Sequence, residues 1–558
     1  MIEKSRKTIL ILSFGMFLSA NPQLDENNLN AGLRSDGFYR VWIFFNDKTE
    51  SDSTPGNAFQ IALENLNDRT RIRRSKVRHF SLVDDRDIPV PTEYIEKITS
   101  TGVLIRTVSK WLNAVSVSGT IEQLRSISGF PFVKKIDPVY GGKRKIPVQK
   151  SLLKTSTESE GNNYGPSYNQ LDQINVIAAH GEGYTGTGVR ILMLDTGYYK
   201  DHEAIHEEQI IAEWDFINND GETQNEAGDP DNQHNHGTST LSVLGGWKDG
   251  QLYGSAYEAE FLLAKTEDTS LEEPIEEDYF VAGLEWGESL GADIASSSLG
   301  YIDWYEFEDL DGMTAVTTIA VNTAIENGMV VVTAVGNSGS GGIVAPADAF
   351  NVISCGAVDE NGMITSFSSR GPTADDRTKP EVCAQGKGTY FATSSSQNSY
   401  GVDDGTSFAT PLVAGACALL LEVHPNWTPT QVRDAIINTA DQASEPNNNY
   451  GWGIIDVMAA IEYRSQNSII PIEYSISLPF PNPFNPIIYF DVNISQQSEI
   501  TLTIFDISGK EVERLWSAAK AKGDYPLQWR ANGASSGIYF INLDGGNGSV
   551  TRKICLQK

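Results

Sequence analysis

Val189-Arg190-Ile191-Leu192-Met193-Leu194, followed at once by Asp195-Thr196-Gly197, is the stretch on which the fold turns. Its apolar residues run nearly without a break instead of alternating with polar ones, which predicts a parallel strand covered on both faces. Met329 to Val335 (MVVVTAV) reads the same way. Ahead of it, Ala315 to Glu326 predicts a helix, with Asn327-Gly328 as its stop. Strand, helix and strand at these lengths imply a right-handed crossover. Thr428-Pro429-Thr430-Gln431 opens another helix, with an N-cap, a proline in the first turn and a reciprocal capping glutamine. The fold class is therefore α/β, a mainly parallel sheet with helices on both faces.

The pattern changes on either side of this middle region, 165–465. Upstream, Tyr39 to Phe45, Val103 to Ile105, Ala114 to Val117 and Val133 to Ile136 predict strands, and Ala58 to Leu66 and Ile121 to Ile127 predict helices. They compose a small α+β unit at 38–139. Within it lies a basic stretch, Arg71, Arg73, Arg74, Lys76 and Arg78, with no nucleic-acid-binding fold around it. It reads as a solvated face or as a contact with the acidic middle region. Residues 140–164, with GGKRKIPVQK at Gly141 to Lys150, form a polar linker open to processing. At the start of the chain, Lys4, Arg6 and Lys7 precede the apolar run Thr8 to Leu18 and the small pair Ser19-Ala20. That is the arrangement of a signal peptide, 1–20, with a leader at 21–37; the run is short for a membrane span. Downstream, a linker at 466–478 precedes short strands rich in Gly, Asn and Ser breaks, a predicted β-sandwich at 479–558.

The 558 residues carry 73 acidic against 42 basic side chains, a formal charge of -31. Such a surface repels nucleic acid and anionic membranes. No stable transmembrane segment is expected. The four cysteines, Cys355, Cys383, Cys417 and Cys555, lack metal-ligand spacing and read as small apolar residues.

The chemistry-bearing groups stand at element ends. Gly405-Thr406-Ser407-Phe408-Ala409-Thr410-Pro411 opens a small-residue helix, whose N-terminus offers partial positive charge and unpaired N–H groups. A serine there is by itself more often a cap than a nucleophile. A nucleophilic serine needs a base, and the base an orienting acid. His236 stands in His-Gly-Thr just before a helix predicted over Thr238 to Leu244, and Asp195 ends the apolar strand. Open parallel sheets carry functional groups at such strand ends. Asn337 follows the second apolar strand in the loop GNSG.

Together LDTG (Leu194 to Gly197), HGT (His236 to Thr238), AVGN (Ala334 to Asn337), GTSFATPLVAG (Gly405 to Gly415) and FSSRGP (Phe367 to Pro372) resemble the motifs of subtilisin-like serine proteases across most of 165–465. The resemblance implies the Asp, His, Ser order and roles known from subtilisin. Asp195, His236 and Ser407 would be the triad, Asn337 and the Ser407 N–H the oxyanion donors, and Ser297, Ser298, Leu299 and Gly300 the substrate-lining segment. The reaction implied is hydrolysis of extended polypeptides, with no cofactor required for chemistry. Phe408 and Leu412 depart from the Met and His common at these positions and put local packing in doubt. The metal site is unknown; a structural calcium ion or a preference for basic substrates is one reading of the acidic stretch Glu267 to Asp278, and solvation of an exposed loop the other.

Residues 38–139 resemble a subtilase propeptide, with SKWLNAVSVSG (Ser109 to Gly119) as the strongest element. It implies a zymogen cut between Gly141 and Tyr164, with the unit acting as an intramolecular inhibitor whose tail lies in the cleft. The end of the chain resembles a type IX secretion sorting domain, through FPNPFNP (Phe480 to Pro486), LTIFDISGKEV (Leu502 to Val512) and SGIYFINL (Ser536 to Leu543). It implies a secretion machinery as partner, and secretion or display at the bacterial surface after transit through the periplasm. Two rival readings stand beside these. One is a subtilase-shaped binding protein of weak or no activity. The other is a zinc protease built on His202-Glu203-Ala204-Ile205-His206, which matches HExxH.

Overall fold

The computed structural model describes residues 24–48, 55–78, 81–139, 163–269, 277–301, 305–464, 474–477, 479–494, 497–507, 509–545 and 549–558. The signal-peptide reading, nearly all of the processing linker and most of the 466–478 linker lie outside them.

Seven parallel strands form the central sheet of the middle region. Their order is Val382–Gln385, Ile353–Val358, Val330–Ala334, Ile294–Ser297, Arg190–Asp195, Glu260–Lys265 and Ile210–Asp215. Alternate side chains of the Arg190–Asp195 strand enter two different cores. Ile191 and Met193 pack with the helices Asn235–Gly245, Thr406–Val423 and Pro429–Thr439, while Leu192 and Leu194 pack with Glu277–Ser289 and Val316–Glu326. Both faces are dry, which is why the strand reads as one apolar run. Chain order reverses direction across the sheet between Arg190–Asp195 and Ile294–Ser297. The carboxyl ends of strands at such a switch point face an open crevice. Thr406–Val423 is apolar and long enough to cross a membrane, but it is 89% buried as the central core helix.

The N-terminal unit is a four-stranded antiparallel sheet, ordered Leu104–Ser109, Ala114–Gly119, Tyr39–Phe45 and Val133–Pro138. Val41, Ile43 and Phe45 face its own helices, whereas Trp42 and Phe44 join the core formed by Glu277–Ser289 and Val316–Glu326. One strand thus belongs to two cores by its period of two. Arg71, Arg73 and Arg74 of the basic stretch lie in the helix Asp68–Ser75, and Arg73 and Arg74 are buried against the acidic middle region.

The C-terminal unit is a separate β-sandwich. Its three-stranded sheet runs Tyr474–Ile476, Ile487–Ile494 and Gly523–Arg530, and its four-stranded sheet Glu511–Lys520, Ser498–Asp506, Gly537–Asp544 and Ser549–Leu556. Phe490, Trp529, Ile541 and Leu556 pack in the layer between them. Tyr474–Ile476, read from sequence as linker, is a strand.

Candidate active site

Asp195 closes its strand and is fully buried. Its Oδ1 accepts from His236 Nδ1 at 2.7 Å and from Thr196 N at 2.8 Å, and its Oδ2 accepts from Thr240 Oγ1 at 2.9 Å. Burial works against a charge here, but the His236 imidazole and these donors outweigh it and hold the carboxyl below its usual range. With the proton on Nδ1 directed at Asp195, His236 Nε2 is left as the accepting nitrogen. The close approach of the two elements needs Gly237, because a Cβ there would collide with the Gly197 carbonyl.

His236 lies inside the first turn of the helix Asn235–Gly245, not ahead of it as the sequence suggests. His234 occupies the N-cap position; its N–H donates to Asn225 Oδ1 and its Nδ1 accepts from Asn225 N. That polar closure starts the helix early, and apolar periodicity carries no trace of it. Thr240 stands one turn beyond His236 on the same face.

Ser407 is the second residue of its helix, with Gly405 in the N-cap position, so the serine is not the cap. Its Oγ donates to the Ser298 carbonyl at 3.4 Å, and Ser298 Oγ donates back to the Ser407 carbonyl at 2.8 Å. Asn337 Oδ1 accepts from both Thr406 N and Thr406 Oγ1 at 3.0 Å. Tying up the amide oxygen turns the Nδ2 donor the other way. A Cβ on Gly405 would lie 3.7 Å from Ser407 N and 3.8 Å from Asn337 Nδ2, so the two donors border one space. The FSSRGP motif braces this loop from behind: Ser369 N donates to the Gly336 carbonyl, and Ser369 Oγ accepts from Ser338 N.

The predicted lining segment is mostly buried. Ser297 ends the strand Ile294–Ser297, and Ser297, Ser298 and Leu299 are at most 4% exposed, Leu299 within the sheet core. The side chains of Ser297, Ser298 and Leu299 are therefore packed away. Val344, which no motif singled out, lies over both Gly300 and Gly336. A Cβ on Gly300 would clash with its Cγ2, and one on Gly336 would come within 2.8 Å of its Cγ1. Phe408 stacks on Phe391 at 4.7 Å and Leu412 is fully buried, so both departures fill the core.

The HExxH match does not make a site. Residues 202–206 are not helical. His202 Nε2 meets the Ser399 carbonyl, His206 Nε2 meets the Trp247 carbonyl, and Glu203 pairs with Lys248. Part of the acidic stretch lies outside the described residues; at its two ends, Glu267, Glu277 and Asp278 are buried, not on an exposed loop. Among the described residues, one acidic group, Asp215, Asp220 and Glu226, has the spacing to hold a metal ion, though Lys265 Nζ already meets Asp215 Oδ2 at 2.7 Å. Cys355, Cys383, Cys417 and Cys555 are unpaired thiols.

Residues 186–453 match the subtilase family, 40–156 the Bacteroidota propeptide domain of peptidase S8, and 479–557 the secretion-system C-terminal sorting domain. The chain is 32% identical over 291 residues to subtilisin Savinase of Lederbergia lenta, covering 52% of this chain and 97% of that protein. It is 31% identical over 297 residues to subtilisin E of Bacillus subtilis strain 168, covering 52% and 70%. A strand-end carboxylate bonded to an imidazole on a parallel sheet, with a serine in the first turn of another helix, is the set of groups found in one class of hydrolase. The chain belongs to the subtilase family of serine endopeptidases, with an S8 propeptide and a type IX sorting domain.

Thr406 and Ser369 stood inside quoted motifs without an assigned task. Thr240 could have been found at four residues from His236, and Val344 had no sequence signal.

Proposed function

We propose that the protein is a secreted endopeptidase, made as a zymogen, that cuts extended polypeptides through Ser407. His236 Nε2 takes the Ser407 proton as Oγ attacks the scissile carbonyl, then delivers it to the leaving amine. Asp195 holds the imidazole in the tautomer that can do so and stabilises its charged form. Asn337 Nδ2 and the Ser407 N–H bind the oxyanion. The observation that supports this reading is the 2.7 Å Asp195–His236 bond, together with the two donors that border one space at Gly405. Backbone pairing with Ser297 to Gly300 accounts for breadth of substrate.

Specificity next to the scissile bond follows from Val344. With the carbonyl held at Asn337 and Ser407, the preceding side chain falls between the Ser298 to Gly300 and Ala334 to Asn337 segments. Val344 fills that room, so small side chains are preferred there.

The 38–139 unit occupies the enzyme as its inhibitor, maturation cuts the 140–164 linker, and the C-terminal sandwich directs export. N-terminal sequencing of wild-type and Ser407→Ala protein, with casein hydrolysis, tests the scheme. Processing and hydrolysis should both disappear in the variant. Equal activity in Ser407→Ala overturns it. Replacing Asn337 by Leu should lower kcat by about 10²–10³-fold, the loss recorded for the oxyanion asparagine of a subtilisin, with folding retained.

A further inference from the structure

The helix Asp68–Ser75 does not touch the candidate active site. It lies across the C-terminal ends of two catalytic-domain helices, Glu277–Ser289 and Val316–Glu326. Helix ends leave carbonyls without intrahelical partners. Here arginines take such carbonyls at Glu288 and the cap residue Asn327, and also carbonyls of adjoining turns. Arg73 donates to the carbonyls of Ala292 at 2.5 Å, Asn327 at 3.2 Å and Glu288 at 3.3 Å, and Arg69 to those of Gly188 at 2.6 Å and Gly291 at 3.1 Å. Two carboxylates complete the receptor. Glu288, fully buried, meets Arg73 and accepts from Arg74 Nε at 2.8 Å and Nη2 at 2.9 Å, while Asp293 pairs with Arg69. Arg78 adds a bond to Asn327 Oδ1, and Thr70 Oγ1 reaches the Glu288 carbonyl at 3.1 Å.

The four-stranded sheet of the propeptide docks separately on the same catalytic helix. Asp278 accepts from Arg106 and Ser116, and Glu285 from Ser109 and the Trp111 N–H. Asp278, Glu285 and Glu288 fall seven and three residues apart, on one helical face. The two footholds are therefore distinct in chemistry yet share one rigid element.

We propose that the ends of Glu277–Ser289 and Val316–Glu326 form a second propeptide-binding site, outside the cleft and built for an arginine-bearing helix, which keeps the cleaved propeptide on the enzyme. Retention rests on the zymogen reading above; the site itself does not. Two linked footholds hold a partner whose tail has already left, because each keeps the other at high effective concentration. The two helices clamped here also lead into the strands that end at Ser297 and just before Asn337, so the same contact steadies the turns feeding both.

The test uses the full chain carrying Ser407→Ala, which spares the propeptide from digestion, with a recognition sequence for an unrelated protease placed in 141–160. After cutting, the propeptide should co-elute with the enzyme on size exclusion. Glu288→Gln should speed its dissociation by at least about 30-fold, as for loss of one partner of a buried charged pair. Arg74→Gln should speed it as well, and the double variant should fall short of the two effects multiplied, since the variants share the Arg74–Glu288 bonds. Arg69→Ala, at the half-exposed edge, should speed dissociation by a few-fold and serves if the buried variants fail to fold. Unchanged dissociation in folded Glu288→Gln or Arg69→Ala protein, or full additivity in the double variant, overturns the site. Retention of residues 38–139 in both secreted wild-type and Ser407→Ala protein would instead count against the zymogen reading and leave the site standing.

Discussion

Replacing Val344 by Ala, and then by Gly, removes in steps the side chain that covers Gly300 and Gly336. Wild-type enzyme should cut after Ala far better than after Phe, because the isopropyl group already occupies the room between the two segments. Without it, a Phe ring gains about 100 Å² of burial over Ala, which at about 25 cal/mol per Å² is about 2.5 kcal/mol, roughly 70-fold in kcat/KM. The Ala variant should recover part of this and the Gly variant most of it. Stability should fall by about 2 kcal/mol in the Ala variant, from two lost methyl groups and the small cavity they leave. The assay is kcat/KM on tetrapeptide anilides differing only in the residue before the scissile bond, with active sites counted by a fluorophosphonate that labels Ser407. A Phe-to-Ala ratio that stays constant across three folded, fully labelled enzymes would refute the geometric reasoning. Absence of labelling in all three would instead remove the serine mechanism.

Thr240→Val deletes one donor to the buried Asp195 carboxylate at nearly constant volume, so kcat should fall by about tenfold and stability by about 1.5–3 kcal/mol; an unchanged kcat would show that Thr240 does not help position Asp195. Propeptide docking should depend on pH through Glu285, which burial pushes up to about 7 despite donors from Ser109, Lys110 and Trp111. Lys48 is the other cation whose field reaches it. A carboxyl raised in the docked state binds its proton more tightly there, so docking strengthens as pH falls from about 7 toward the ordinary value of 4.5 and is weaker above 7. Titrating the dissociation rate of the cut propeptide checks this, and Glu285→Gln should flatten the profile. Truncation before Ser475 should leave peptide hydrolysis intact and trap the enzyme in the periplasm; normal export of the shortened chain would rule out the sorting role.

The parallel sheet was legible because burial on both faces leaves an unbroken apolar run, as in Val189 to Leu194, and few other environments do. Asp195, His236, Asn337 and Ser407 stood out in the sequence because each sits in a short motif at an element end, where backbone geometry and chemistry constrain several neighbours at once, and the structure joins the first two by a hydrogen bond. The start of the His236 helix was not, since Asn225 and His234 close it through polar bonds that leave no periodic pattern. Nor was the fate of the arginines: a basic stretch reads as a charged face until folding brings Glu288 and the carbonyls of two distant helix ends against it. Val344 shows the same limit most sharply. An isolated valine carries no signal of what it covers, and only the tertiary fold places it over Gly300 and Gly336. Local sequence thus determined which groups could react and which strands would hold them, through patterns a few residues long. What covers Gly300 and Gly336, and what holds the propeptide over the enzyme, depends on contacts between residues from 8 to 254 positions apart, which only the packed structure decides.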